Sequence, residues 1–284
     1  MNPTGHSSPA FDPAGVPFVK MHGAGNDFVM LDLRDGAAAP GAGTAAEIAD
    51  RRRGVGCDQL VLITPPPTGL ADYGLLFLNS DGSASGACGN GTRCAAALLM
   101  DETGSTEISF ESEAGVLDCL RNGDGSVAVD MGRPVTDWRD IPLSEDRDTL
   151  HLGIAEGPLS DPVGVGMGNP HAVFFVEDAE SVPIERIGPV LEHHRLFPER
   201  ANIGVAQTKG RDRIRLRVWE RGAGLTQACG SGACAAVVAA VRRGLTGRKV
   251  TVEVDGGELF IDWAEDDHVL MSGPTATSFR GVLA

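Results

Sequence analysis

Two stretches of this chain are apolar on every side: Cys94-Ala-Ala-Ala-Leu-Leu-Met and Cys234-Ala-Ala-Val-Val-Ala-Ala-Val. A segment without a polar stripe has no face to offer water, so each predicts a helix buried all round. Short runs rich in β-branched and aromatic residues read as strands. Around the first helix these are Gln59 to Ile63, Tyr73 to Leu78, Ile108 to Glu111 and Val127 to Met131. Around the second they are Ala172 to Val176, Ile214 to Glu220, Lys249 to Val254, Glu258 to Trp263 and His268 to Met271. The turn signals Asn122-Gly-Asp-Gly and Asp255-Gly-Gly predict hairpins. Two outer helices are predicted: Thr44 to Arg53, capped by Thr44 and stopped by Gly54, and a stretch near Pro183 to His194. The fold class expected is α+β, with two pseudo-symmetric domains, each a set of mainly antiparallel strands around a central apolar helix. The boundary is placed near Gly132-Arg-Pro.

The same turn precedes both apolar runs: Ala87-Cys-Gly-Asn-Gly-Thr-Arg-Cys-Ala and Ala228-Cys-Gly-Ser-Gly-Ala-Cys-Ala. The first cysteines lie 141 residues apart (229 − 88), about half the chain, as an internal duplication requires. A cysteine at a helix start feels unpaired backbone N–H groups and the positive end of the dipole, which favour thiolate over thiol. Cys88 and Cys229 both qualify. A lone cysteine there reads equally as a small buried turn residue; the duplication of an activated thiol favours chemistry. Cys94 and Cys234 read as core, and Cys57 and Cys119 carry no pattern. A redox pair would not need two equivalent helix starts. Neither turn has the Lys-Ser/Thr of a phosphate loop, but a carboxylate suits the same amides. One thiol on each face of the carbon beside that carboxylate would move a proton from one face to the other, as a racemase does.

Composition narrows the partners. The 284 residues are enough for two domains, and 24 Lys+Arg against 39 Asp+Glu leave a net charge of -15 with no basic stripe, which argues against nucleic acid. No apolar run approaches the roughly 20 residues that span a bilayer. Residues 1–16 lack a basic head and apolar centre and read as a flexible tail, so a cytoplasmic protein with no membrane association is expected. Six cysteines in that setting read as thiols rather than a disulfide framework. With no C-x-x-C pair and scattered histidines, no metal site is expected. Of Lys20, Lys209 and Lys249, none sits in a recognisable pyridoxal setting.

Motifs along nearly the whole chain then carry a resemblance. They are Lys20-Met-His-Gly-Ala-Gly-Asn-Asp-Phe, Gly56-Cys-Asp-Gln-Leu, Asn79-Ser-Asp-Gly-Ser, Ala87-Cys-Gly-Asn-Gly, Met167-Gly-Asn-Pro-His, Glu199-Arg-Ala-Asn-Ile-Gly, and Trp219-Glu-Arg-Gly-Ala-Gly running into Gln227-Ala-Cys-Gly-Ser-Gly. The sequence resembles the diaminopimelate epimerases. The resemblance implies interconversion of LL- and meso-2,6-diaminopimelate towards lysine and peptidoglycan, no cofactor, a homodimer, and a site in the cleft between domains 17–132, completed by strand 273–284, and 133–272. It implies Cys88 and Cys229 as the catalytic pair, one thiolate and one thiol, with His171 and Glu220 tuning them. It implies that the amides of Gly89, Asn90, Gly230 and Ser231 hold the reacting carboxylate. Asn26, Gln59, Asn79, Asn169, Asn202, Glu220 and Arg221 complete the substrate-binding set, with Arg221 gripping the distal carboxylate. Two departures stand out: Cys57 replaces a common aromatic residue, and Phe279 stands where a tyrosine is often associated with dimer contacts. Proline and hydroxyproline epimerases and phenazine-type isomerases are the nearest alternatives; a non-catalytic binding protein or thiol-redox module is the more distant one.

Overall fold

The structure is a computed structural model and describes residues 11–86 and 88–284; most of the predicted tail, residues 1–10, and Ala87 of the first turn lie outside the described residues. Strand periodicity is plainest in Arg213–Glu220, where Ile214, Leu216 and Val218 are buried and Arg213, Arg215 and Arg217 alternate with them. Successive side chains on a strand face opposite ways, so this pattern gives a sheet one apolar face. In Asn26–Asp32 both faces are covered: Phe28, Val29, Met30 and Leu31 are all buried.

The chain forms two compact units. The first contains residues 11–23, Asp27–Arg121 and Thr275–Ala284; the second contains Ala24–Asn26 and Asn122–Pro274. The strand Asn26–Asp32, which belongs to the first unit from Asp27 on, runs parallel to Gln59–Thr64, which is antiparallel to Tyr73–Asn79. Tyr73–Asn79 is parallel to Glu107–Ser112, itself antiparallel to Gly115–Arg121. The second unit repeats these directions with Pro170–Phe175, Asn202–Thr208, Arg213–Glu220, Lys249–Val254 and Gly257–Trp263. Helices fall at matching places: α1 (Ala42–Ala49) and α2 (Gly89–Thr103) in the first unit, α3 (Ile184–Glu192) and α4 (Gly230–Arg242) in the second. The fold is α+β, dominated by strands.

Helices α2 and α4 are the central ones. Nine consecutive residues of α4, Gly232 to Ala240, are buried among Val163, Val165, Leu216, Val218, Val252, Ile261 and Met271. Small side chains let strands approach it from all sides. Helix α1 covers the opposite sheet face in its unit, with Ala45, Ile48 and Ala49 against Val29, Leu31, Leu60 and Leu62; α3 does the same with Ile187 and Leu191.

Two local expectations need correction. Helix α1 begins at Ala42 with Gly41 as its cap, so Thr44 lies inside it, and it ends at Ala49 rather than Arg53. Asp50 turns extended, and its carboxylate takes the amides of Arg52 and Arg53 at 2.8 and 2.9 Å, stabilising a turn in place of another helical one. The turn at Asn122–Ser126 is closed by Asn122 N–H to the Ser126 carbonyl, but the flanking strands do not form a hairpin: Gly115–Arg121 pairs with Glu107–Ser112 and Val127–Asp130 with Val269–Gly273. At Asp255-Gly256 the hairpin does form, between Lys249–Val254 and Gly257–Trp263.

The repeats also exchange their ends. In the second unit, Val127–Asp130 of the first repeat pairs with Val269–Gly273, and Val135 bridges Gly166. In the first unit, the matching end of the second repeat, Ala276–Val282, pairs antiparallel with Pro17–Gly23.

Candidate active site

Each thiol caps its own helix. Cys88 is the N-cap of α2, extended at φ -151° and ψ 98°, and its sulfur accepts the Gly91 N–H at 3.3 Å. Cys229 is the N-cap of α4, at φ -119° and ψ 109°, and its sulfur accepts the Gly232 N–H at 3.4 Å. A sulfur replaces the usual capping oxygen. The Cys88 and Cys229 carbonyls take the amides of Thr92 and Ala233. The helices themselves thus leave over the amides of Gly89 and Asn90, and of Gly230 and Ser231, for an anion. The second glycine of each turn is set by space: a Cβ on Gly91 would lie 3.1 Å from Val61 and 3.4 Å from the Cys88 sulfur, and one on Gly232 3.0 Å from Val218 and 3.1 Å from the Cys229 sulfur.

Strand register extends the equivalence beyond the turns. Phe28 pairs with Gln59 as His171 pairs with Asn202, so Asn26 matches Asn169, two residues before each. Leu60 pairs with Leu78 as Ile203 pairs with Trp219; Gln59 and Asn202 open their strands, and Asn79 and Glu220 close theirs. The motif residues therefore fall on duplicated positions, with different chemistry at Phe28/His171 and Asn79/Glu220.

That difference shows in the second unit. Cys229 is 4% exposed, and burial, reinforced by the Glu220 carboxylate, pushes its thiol well above the ordinary range, outweighing the Ser231 hydroxyl 3.7 Å away and the Gly232 amide. A helix start favours thiolate, but at Cys229 taking the sulfur out of water beside a carboxylate costs more than the helix end returns, so the proton is held more tightly. Glu220 in turn accepts from the Thr226 hydroxyl. His171 is fully enclosed, and burial, with the Arg221 charge, lowers its pKa to about 3, keeping the ring neutral; Nε2 lies 2.7 Å from Asn169 Oδ1. Asn202 Oδ1 accepts the Arg221 amide at 2.9 Å and its Nδ2 donates to the Pro170 carbonyl at 3.2 Å. The exposed Arg221 side chain donates to the Glu199 carbonyl at 3.1 Å.

In the first unit, Gln59 Nε2 donates to Asn79 Oδ1 at 2.9 Å, and Asn79 Nδ2 to Ser83 Oγ at 3.0 Å. The Asn79–Ser83 turn recurs at Asn122–Ser126: in both, the Asn amide donates to the Ser hydroxyl, which donates to the intervening Asp. Gln59 Oε1 and Asn90 Oδ1 are buried without a hydrogen-bond partner among the described residues. Leaving such an acceptor unmet costs about 1–3 kcal/mol, a deficit that a donor-rich ligand would remove. Asn26 follows a turn with Ala24 at φ 52° and Gly25 at φ 83°. A Cβ on Gly25 would fall 2.8 Å from Gly256 Cα, so both glycines serve one close backbone contact within the second unit.

A family model described as diaminopimelate epimerase matches residues 18–136 and 163–277. The chain belongs to the diaminopimelate epimerase family. Relatives named diaminopimelate epimerase include one from Rhodospirillum centenum, 57% identical over 267 residues, with 94% of this chain and 92% of that one covered. Another, from Acidiphilium cryptum, is 57% identical over 270 residues, covering 95% and 97%. Among solved structures, a predicted epimerase from Pseudomonas aeruginosa superposes with TM-score 0.67 at 18% identity, covering 94% of this chain and 99% of that chain. A hydroxyproline epimerase from Agrobacterium vitis gives 0.66 at 15% identity, covering 97% and 94%. These structures show the fold.

This member of the family is an isomerase acting on amino acids. Its Cys57 is buried in the α1 core with Phe18, Val29 and Leu60. Sequence reasoning missed Thr226, which contacts Glu220, and the spacing role of Gly91 and Gly232. The repeat offset alone would have singled out the two glycines. Among the described residues no helix is long and apolar enough to cross a membrane.

Proposed function

We propose that the reaction family membership assigns to this chain, interconversion of LL- and meso-2,6-diaminopimelate, runs through Cys88 and Cys229 as a thiolate/thiol pair. The thiolate takes the α-proton; the electron pair left on carbon is delocalised into the carboxylate. The thiol on the opposite face supplies the proton of the new C–H bond, so the pair ends with its roles exchanged. The amides of Gly89, Asn90, Gly230 and Ser231 hold that carboxylate as its charge grows. Asn26, Gln59, Asn79, Asn169 and Asn202 bind the polar groups, and Arg221 grips the distal carboxylate. Glu220 and the neutral His171 set the proton affinity of Cys229. The observation that carries the reading is the duplicated cap: two thiols at equivalent helix starts, one held protonated by burial and Glu220. Gln59 Oε1 and Asn90 Oδ1 would meet the substrate ammonium groups.

The test is proton NMR of LL-diaminopimelate with the reduced protein in D₂O. Loss of the α-proton signal with appearance of the meso isomer is expected; an unchanged spectrum from folded, reduced protein would defeat the reading. The same reading includes a cytoplasmic homodimer. All six cysteines are unlinked, as a reducing compartment would keep them, and the terminal strand leaves Phe279 48% exposed, an apolar side chain suited to contact a second copy. Light scattering should return twice the mass of one chain; a monomeric mass would remove the dimer from the proposal.

A further inference from the structure

Glu192, the last residue of α3, lies outside the groups described so far, yet it is only 4% exposed. A carboxylate is kept out of water only where donors replace the lost hydration. Here Oε2 accepts the Trp219 indole N–H at 2.8 Å, while Oε1 accepts the Gly222 amide at 3.0 Å and lies 3.5 Å from Arg200 Nη1. The Glu192 carbonyl also accepts the Ala201 amide at 3.2 Å. All of these donors come from two short segments, 199–202 and 219–222. Those segments carry Asn202, Glu220 and Arg221, and are tied to each other by Arg221 N–H to Asn202 and Arg221 Nη1 to the Glu199 carbonyl. Arg200 sits at φ 62°, a left-handed conformation that a residue with a Cβ avoids unless its surroundings hold it there.

We propose that Glu192 is a positioning residue for substrate recognition: by clamping Trp219, Gly222 and Arg200 it fixes the Glu220-Arg221 turn against Asn202, so that Arg221 presents its guanidinium to the distal carboxylate. This rests on the function proposed above. A carboxylate is needed because every neighbour is a donor. Glu192→Gln keeps the shape but turns one end into an N–H group facing another donor.

The test is a double-mutant cycle with Arg221→Lys, reading KM and kcat for diaminopimelate together with Tm. Glu192→Gln should raise KM about tenfold, as loss of a charge-assisted bond predicts, with kcat falling by a smaller factor than KM rises, because the Glu220 carboxylate beside Cys229 keeps its own bond from Thr226. In the Arg221→Lys background the same change should raise KM less than about twofold, since Glu192 acts through Arg221. An unchanged KM in the single variant, or an equal factor in both backgrounds, would overturn the role and leave a merely structural contact. Should Glu192→Gln not fold, Trp219→Phe removes one of the donors while keeping an aromatic side chain on the strand, and the same cycle decides. Absence of turnover by the wild-type chain would overturn the function and this role with it; normal wild-type turnover with an unaffected variant overturns the role alone.

Discussion

Cys88→Ala and Cys229→Ala are each expected to lower diaminopimelate turnover by at least about 10³-fold, the scale of a lost proton-transfer group. Neither change should unfold the protein. The sulfur of Cys88 supplies α2 with one capping bond, to Gly91, worth about 1 kcal/mol. Removing the Cys229 sulfur empties a small buried volume and costs about 1–2 kcal/mol more. On the mechanism proposed above, each variant keeps one proton-transfer group and lacks the other, so inversion should stop. Steady-state kinetics beside circular dichroism would check this. Turnover within tenfold of wild type in either folded variant would exclude a two-thiol mechanism.

The second large effect is an alkaline loss of stability. Burial pushes the thiols of Cys57, Cys94 and Cys119 up from 9.0 to about 12, and that of Cys229 well above the ordinary range. These groups bind protons more tightly folded than unfolded. Their contribution is therefore intact below about pH 9, where both states are protonated, and is lost as pH climbs from there towards 12, because only the unfolded chain can ionise. One pH unit above the unfolded value, each thiol costs about 1.4 kcal/mol, and four together cost about 6 kcal/mol. Urea unfolding at pH 8 and pH 10 should show a drop of that order, with Cys119→Ala losing measurably less. Equal stability at the two pH values would mean that these thiols are not desolvated as described.

Much of this was legible in the residues. The all-round apolarity of α2 and α4 and the duplicated turn give the two-unit plan directly, because period and repeat are local properties. What the residues hid was long-range. Pro17–Gly23 and Ala276–Val282 are partners across the whole chain, and only the pairing itself reveals it. Asn122-Gly-Asp-Gly has the composition of a hairpin turn and makes its internal bonds, yet the strands on either side are claimed by other partners. The thiol caps were readable from position; the protonated state of Cys229 was not, since it depends on Glu220, nine residues upstream, and on a burial that sequence does not quantify. Helix α1 was misplaced because Asp50 competes for the amides a continuing helix would need.

The exchanged ends set the order in which the molecule can be finished. Pro17 pairs with Val282, 265 residues later (282 − 17), among the longest loops this chain can close. During synthesis the strands of the second unit have all emerged by Pro274, whereas the first unit still waits for its last strand. The half made first is thus completed last, and Pro17–Gly23 must keep one side open until Ala276–Val282 has been made. A stop directly after Pro274 would remove Thr275–Ala284 and damage the older half of the fold, leaving the strands of the younger half in place.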